Sequence, residues 1–211
     1  MPSADVDLVL LAVPDGAVAE AASRVERSAA VVAHCSGSST LEVLAPHRFV
    51  GSVHPLVSLR SPESGSERLR GAWFAVAGDP DRGQQVVTDV VESLEGRSVE
   101  VPDEHRARYH ATAAVASNHL VALLGQVERL AADIDVPVAA YHALIAGTVA
   151  NVESVGAAAA LTGPVARGDW DTVRRHVAAL PADERDTYLA LARSAARLAG
   201  RSLPDDLDAP T

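Results

Sequence analysis

The first half of the chain alternates short apolar runs with polar or amphipathic segments. The run at 7–13 is largely apolar and ends in a Pro-Asp-Gly turn signal, which is typical of a parallel strand buried on both faces. Similar runs predict further strands at 29–34, 49–53, 73–77 and 97–101. Because helical patterns separate these strands, the sequence predicts a parallel sheet built from βαβ units.

Three segments between the strands have the spacing or the start signals of helices: 15–27, 39–44 and 79–95. Ser38 or Ser39 is expected to cap the second helix, and Pro80 fits the first turn of the third. The stretch at 61–71 is rich in Ser, Glu, Gly and Arg, which predicts a loop.

From residue 103 onward the pattern is helical, with almost no strand signal. The helices are predicted at 103–132, 137–155, 169–180 and 182–199. We therefore predict an α/β protein, in which a partial Rossmann-like parallel sheet is followed by an all-α C-terminal domain. The expected domains are 1–101 and 102–200, followed by a flexible Pro- and Asp-rich tail at 201–211.

The glycine-rich motif of dinucleotide-binding folds, G-x-G-x-x-G, does not occur in the 211 residues. Such folds have this loop after their first strand, so the chain is expected to lack the N-terminal part that cradles the pyrophosphate. The opening strand would then present a bare sheet edge. Either a second chain or upstream sequence would be needed to cover that edge.

Composition narrows the classes of function. The net charge of −10 argues against nucleic acid and anionic membranes as partners, because both require a basic surface. A single cysteine, no signal peptide and no apolar run of membrane-spanning length favour a cytoplasmic protein. All 18 basic residues are arginine, which excludes a Schiff base or a lysine acid.

Polar and turn residues lie at the carboxyl ends of three of the predicted strands. The segments are Val13-Pro14-Asp15, Ser36-Gly37-Ser38 and Ser52-Val53-His54. Ligands of parallel sheets bind beyond the carboxyl ends of the strands, so the three ends would line one crevice. His54, held by the proline that follows it, is an acid/base candidate. Ordinary turn chemistry is the alternative explanation for the Ser, Gly and Pro residues.

The long predicted helix carries a second set of candidates. At 100° per residue, His110 and Ser117 share a face, Asn118 lies at its border and His119 points away. A buried asparagine is costly unless it is paired, which favours a site; alternatively, His110 and Asn118 satisfy buried backbone groups or each other. Arg167, in a turn between helices, is either a carboxylate clamp or a solvated side chain.

Two other chemistries lack support in the sequence. No H-E-x-x-H motif and no pair of histidines four residues apart occurs, so no metal site is predicted. Ser36 lacks the G-x-S-x-G context of a serine hydrolase, and Cys35, at a buried strand end, is expected to be inert.

Several stretches together resemble a family of NAD(P)-dependent oxidoreductases that join a Rossmann-like domain to a C-terminal helical domain of unassigned function. These stretches are 7–15, 34–38, 51–56, 109–118 and 161–169. Their order and spacing carry the resemblance, which extends over nearly the whole chain. The family is similar to prephenate dehydrogenases, pyrroline-carboxylate reductases and β-hydroxyacid dehydrogenases.

The resemblance implies roles for individual residues. The residues expected along NADP or NAD are Val13, Pro14, Asp15, Ser36, Gly37 and Ser38. His54 is similar to a substrate-contacting histidine of prephenate dehydrogenases, while Asn118 and His110 would orient the substrate. Further substrate contacts are expected from Ser52, Ser117 and Arg167. The hydroxyacid dehydrogenases have a lysine where this chain has Ala114, so His54 or His110 would replace it as the acid.

The implied reaction is hydride transfer between the nicotinamide and a small carbonyl or hydroxy-acid substrate. The resemblance also implies a homodimer formed through the helical domain. The alternative is a non-catalytic binding or dimerisation module that keeps the fold but has lost cofactor binding.

Overall fold

The computed structural model describes residues 6–59 and 62–208. The chain divides into two compact units, Met1–Leu120 and Val121–Thr211. The sheet ends at Glu100, close to the domain limit predicted at residue 102, but the first unit continues into the helix that follows. The predicted domain limits themselves stay a prediction.

The described part of the first unit contains a five-stranded sheet whose spatial order equals its chain order. The strands are β1 Leu8–Leu11, β2 Val31–His34, β3 Val50–Pro55, β4 Trp73–Gly78 and β5 Arg97–Glu100. β1, β2 and β3 are parallel, with Leu11 opposite His34 and His34 opposite Ser52. The predicted strands are therefore all present, and the expected α/β class is confirmed.

The expectation of a fully parallel sheet is wrong at one place, since β4 runs antiparallel to β3. Pro55 at the end of β3 pairs with Phe74 at the start of β4, so the chain returns along the same edge without crossing the sheet. β5 is again parallel to β4. An apolar run predicts a strand but carries no information on its direction.

Four helices of the first unit connect or follow the strands: α1 Val18–Ser23, α2 Pro62–Leu69, α3 Gly83–Ser93 and α4 Arg106–Ala114. Short 3₁₀ turns precede α1 at Asp15–Ala17 and α4 at Asp103–His105, and another lies at Leu41–Leu44. The loop predicted at 61–71 is wrong, because α2 occupies most of it; residue 61 lies outside the described residues.

Two capping predictions are also wrong. Neither Ser38 nor Ser39 caps the turn at Leu41–Leu44, where Thr40 is the N-cap and the amide of Leu41 donates to Asp103 instead. The third helix begins at Gly83 rather than at Pro80, because the carboxylate of Asp79 accepts the amide hydrogens that open it.

The two faces of the sheet have separate apolar cores. On one face, Val87 and Val91 of α3 pack with Ala33, Val53, Phe74 and Val76 of the sheet. On the other face, Val18 and Ala22 of α1 and Leu44 of the Leu41–Leu44 turn pack with Leu11 and Val32 of the sheet. His34 and Ser52 share the second face, since they alternate with residues of the first core.

The long helix predicted at 103–132 is present but interrupted. After α4 the chain forms a π-helical turn at Val115–His119 and then continues as α5, Leu120–Ala132. A π turn contains one residue more than an α turn, so the residues that follow are displaced around the helix axis.

The second unit is helical throughout its described part, from the rest of α5 to Asp208. Its further helices are α6 Ala139–Val155, α7 Ala157–Ala160, α8 Pro164–Arg167, α9 Trp170–Ala179, α10 Ala182–Leu198 and α11 Asp205–Asp208. Its core is formed by Val165, Val173, Leu189, Ala192, Ala196 and Leu207. No helix within the described ranges is both long and apolar enough to cross a membrane.

The tail predicted at 201–211 contains α11, and its flexibility stays a prediction. Leu207 is buried in the core of the second unit. Asp206 and Asp208 form ion pairs with Arg174 of α9 and Arg193 of α10. The apolar Leu207 holds the segment in the core. This residue was overlooked in the sequence because the residues around it are mostly Pro and Asp. Residues 209–211 lie outside the described residues.

Candidate functional site

The site lies where β1, β2 and β3 end at one edge of the sheet. Asp15 follows β1, Ser36 and Ser38 follow β2, and His54 lies near the end of β3. The Oγ of Ser38 donates to the Oδ2 of Asp15 over 2.8 Å, so the segments after β1 and β2 are in contact. The carboxyl ends of the parallel strands thus bring together the residues that the sequence proposed for one crevice.

Ser36 organises the turn after β2. Its side chain is buried, and its Oγ accepts the amide hydrogens of Ser38 at 3.2 Å and Ser39 at 3.0 Å. Its own amide donates to the Nδ1 of His34 over 3.2 Å. This network fixes the backbone around Gly37, so the turn is rigidly built rather than a loose connection.

Arg106 joins α4 to the same turn. Its guanidinium is fully buried, with Nη1 donating to the carbonyl of Ser36 at 3.3 Å and Nε donating to Asp103 Oδ1 at 3.1 Å. Asp103 also accepts the amide hydrogen of Leu41 over 2.9 Å. A buried arginine requires such partners, and through them it holds α4 against the strand ends.

Three aromatic rings meet at the end of β3. The Nδ1 of His54 lies 2.8 Å from the hydroxyl of Tyr109, and the two rings are edge to face at 89°. The ring of His110 lies 6.2 Å from that of His54, centroid to centroid. The first turns of α4 therefore present two ring side chains to the acid/base candidate.

Gly37 packs closely against the two histidines. A Cβ placed on Gly37 would lie 2.9 Å from the Nε2 of His54 and 2.9 Å from the Cδ2 of His110. A side chain there would have to displace at least one ring. The glycine is thus required by close approach.

The surroundings of His54 and His34 disfavour their charged forms. Burial lowers the pKa of His54, the charges of His110 and Arg106 lower it further, and Asp15 opposes them. Burial and Arg106 likewise lower the pKa of His34, which is fully buried. Both rings are therefore neutral near pH 7, and His54 has the protonation state of a base.

Asp15 remains ionised at the rim of the site. Its partial burial alone would raise its pKa, but hydrogen bonds from Ser38 and Ser36 and the charges of His110 and His34 lower it below its usual value. Burial raises the pKa of Cys35, which keeps that thiol protonated. The edge therefore presents one carboxylate beside two histidines and no activated thiol.

Some predicted site residues lie on the exposed surface of the first unit. Val13 and Pro14 are exposed beside Asp15, and Ser117 and Asn118 are exposed in the π turn. The expectation of a buried asparagine at position 118 is therefore wrong. The π turn is still informative, since such turns frequently occur at functional sites.

Ser52 and Arg167, two further predicted substrate contacts, differ in exposure. Ser52 is fully buried inside the sheet between β2 and β4, so it offers no surface to a substrate. Arg167 is exposed at the end of α8 in the second unit. Its role as a carboxylate clamp stays a prediction.

Sequence reasoning missed four members of the cluster: His34, Asp103, Arg106 and Tyr109. Tyr109 directly precedes His110, and Arg106 lies one turn before that histidine, so their helical spacing was a usable signal. Asp103 and Arg106 also have the i, i+3 spacing of an ion pair. Among the described residues, no group of three or more metal-ligating side chains forms.

These observations define a class: a Rossmann-like α/β domain with a polar site at its strand ends, joined to a helical domain. The chain belongs to the family described as "Domain of unknown function (DUF2520)", which matches residues 72–195, more than half of the sequence. No curated protein sequence matches the chain significantly.

Solved structures share this fold. A protein from Thermotoga maritima is 28% identical, with a TM-score of 0.75 and coverage of 93% of this chain and 81% of that chain. A protein from Bacteroides fragilis, named as a candidate NADP oxidoreductase, is 22% identical over 92% of this chain and 78% of that chain, with a TM-score of 0.76. These likenesses confirm the expected fold class, and the matched family is one of unknown function.

A 1-pyrroline-5-carboxylate reductase from Streptococcus pyogenes is a more distant neighbour. It is 12% identical, with a TM-score of 0.59 and coverage of 91% of this chain and 76% of that chain. The architecture is therefore one that oxidoreductases use. At this identity the likeness concerns the fold alone.

Proposed function

We propose that this chain is an NAD(P)-dependent oxidoreductase that acts on a small hydroxy acid or the corresponding keto acid. The observation that carries the proposal is the neutral His54, held by Tyr109 and packed against Gly37. The shared fold of named oxidoreductases supports it. NADP is the first choice of cofactor because the Bacteroides fragilis neighbour carries that name.

The residues at the strand ends fit the reactive end of a nicotinamide cofactor. The exposed Val13-Pro14-Asp15 turn offers backbone groups, and the Ser36–Ser38 turn is held rigidly with a glycine where close approach is needed. The motif that cradles a pyrophosphate is not part of the sequence, so these residues account for the nicotinamide end only. When bound, the nicotinamide supplies the hydride donor or acceptor.

His54 would act as the general base in oxidation and as the general acid in reduction. In the direction of oxidation, its Nε2 takes the proton of the substrate hydroxyl as the carbinol C–H bond gives up its hydride and the carbonyl forms. In the direction of reduction, the protonated ring returns that proton to the carbonyl oxygen. The ionised Asp15 favours the imidazolium that forms, since its charge acts on His54.

The proposal also includes four of the predicted substrate contacts. Asn118 and His110 would orient the substrate from the π turn and from α4, with Ser117 beside them. Arg167 would hold a substrate carboxylate. The exposure of these polar side chains leaves them free to meet a ligand.

A homodimer formed through the helical domain is also proposed. α6 is strongly apolar, yet its described side chains are exposed or at most partly buried. Leu144 is 67% exposed and Val155 is 57% exposed. Within the second unit, a groove of about 620 Å³ runs beside α6 and is lined mostly by apolar atoms. A continuous apolar surface of this kind is typical of an interface.

The test of the activity uses a panel of small 2-hydroxy and 2-keto acids with NADPH, NADH and their oxidised forms, followed by nicotinamide absorbance. His54→Gln is expected to lower kcat by about 100-fold or more, the usual contribution of a general base. His176→Gln, in the second unit, is the matched control and leaves turnover unchanged. No turnover with any combination of substrate and cofactor, or full turnover by His54→Gln, would contradict the proposal.

A further inference from the structure

Tyr109 is the hydrogen-bonding partner of the His54 ring. Its Oη lies 2.8 Å from Nδ1, and the rings are edge to face with centroids 5.6 Å apart. The phenol stays protonated, because burial raises the pKa of Tyr109 despite the opposing charge of Arg106. Its oxygen can then either accept a proton from Nδ1 or donate its own to that atom.

The environment of the other ring nitrogen distinguishes the two arrangements. Nε2 faces Gly37, since a Cβ on that residue would lie 2.9 Å from it. Among the described residues, none supplies an acceptor for a proton on Nε2, whereas a proton on Nδ1 meets the Tyr109 oxygen. A neutral His54 is therefore better satisfied with its proton on Nδ1.

Other charged or titratable groups also face His54, but they do not compete for Nδ1. They are His110 and Arg106 on α4 and Asp15 after β1, and they act on the ring through their charges. In the described structure, the hydrogen bond at Nδ1 goes to Tyr109. The tautomer is thus set by one residue on α4.

We infer that Tyr109 is a positioning residue, which accepts the Nδ1 proton of neutral His54 and leaves Nε2 unprotonated. A substrate hydroxyl that reaches Nε2 then meets a base rather than a second donor. The catalytic consequence rests on the proposed function, whereas the tautomer does not. This role is analogous to that of any group that orients a catalytic histidine through its second nitrogen.

The first arm of the test is a long-range ¹H–¹⁵N spectrum of the full chain labelled at histidine, with His54→Gln used to assign the His54 signals. The expected result is a protonated Nδ1 and an unprotonated Nε2 in the unmodified protein above pH 7. In Tyr109→Phe, the expected result is a shift of the proton toward Nε2. Tyr188→Phe is the matched control, because Tyr188 makes the same 2.8 Å contact to Nδ1 of His176 in the second unit.

The second arm measures turnover once a substrate is found. Tyr109→Phe is expected to lower kcat about tenfold and to leave KM within about twofold, because the tautomer matters in the transition state rather than in binding. Tyr188→Phe leaves both unchanged. Thermal unfolding of both variants separates this effect from a loss of folding.

The two arms separate failure of the inference from failure of the proposed function. A protonated Nε2 in the unmodified protein, or an unchanged tautomer in Tyr109→Phe, overturns the inference and leaves the oxidoreductase proposal intact. The expected tautomer change supports the positioning of His54 even if no substrate is turned over. Normal kcat in Tyr109→Phe despite a changed tautomer overturns the catalytic role.

Discussion

Gly37 lies so close to His54 that a Cβ on the glycine would approach the Nε2 of the histidine to 2.9 Å. Gly37→Ala is therefore expected to push the His54 or His110 ring aside and to lower turnover by at least about tenfold. The fold should persist, because the ring of His54 is only half-buried. The measurement is kcat together with the thermal midpoint.

Gly125→Ala is the matched control for that substitution. Its Cβ would meet only a flexible Arg129 side chain at 3.6 Å, and alanine suits the interior of α5. Its turnover should equal that of the unmodified protein. Full activity of Gly37→Ala would show that close packing at Gly37 is not needed for turnover.

Acid pH is expected to destabilise the protein through His34. The folded state lowers the pKa of this buried ring, so below about pH 6.5, the value of an unperturbed histidine, the unfolded chain binds more protons. Stability is therefore complete above that pH and falls as the pH decreases through it. Thermal midpoints at pH 7 and pH 5 measure the loss.

His34→Asn should flatten this dependence. The asparagine Oδ1 can accept the Ser36 amide hydrogen in place of Nδ1, but it does not titrate. The exposed His119 provides the control, and His119→Asn should keep the slope of the unmodified protein. An unchanged slope in His34→Asn would show that another group carries the acid sensitivity.

Asp79 is expected to stabilise the first unit by capping α3. Its carboxylate accepts from the amides of Gly83 at 3.0 Å and Val50 at 2.7 Å, so one side chain holds both the helix and β3. Asp79→Ala should lower the free energy of unfolding by about 1–2 kcal/mol. Asp81→Ala removes only an exposed 3.8 Å ion pair to Arg48 and should change the free energy of unfolding by less than about 0.5 kcal/mol. The measurement is chemical denaturation. Equal losses of this free energy in Asp79→Ala and Asp81→Ala would refute the capping role of Asp79.

The proposed dimer predicts an effect at α6. Leu144→Glu places a charge on its exposed apolar surface and should convert the dimer to a monomer in light scattering after gel filtration. Val99→Glu on the exposed β5 of the first unit is the control and should leave the mass unchanged. A monomeric unmodified protein, or an unaffected Leu144→Glu, would contradict an interface on α6.

The sequence predicted the parts of the fold that depend on apolar spacing. Every strand and the long helices followed from that spacing, and the strand ends correctly indicated where Asp15, Ser36 and His54 would meet. Strand direction at β4 could not be predicted, because an apolar run is the same in either direction. α2 was missed because its Ser-, Glu- and Gly-rich composition is also that of a loop.

The missed parts of the site have two physical causes. The π turn at Val115–His119 departs from the 100° spacing on which helical-face arguments depend, so that spacing does not apply at Ser117. Arg106 was overlooked because arginine is rarely fully buried, and its pairing with Asp103 and Ser36 is visible only in three dimensions.

Calorimetric titration with NADPH and NADH tests most directly whether the strand-end site accepts a nicotinamide cofactor. Saturable binding of at least one cofactor is expected, weakened about tenfold or more in Gly37→Ala, which crowds the turn next to Ser36 and Ser38. Absence of binding by the folded protein, or equal binding by Gly37→Ala, would contradict a nicotinamide site at this edge of the sheet.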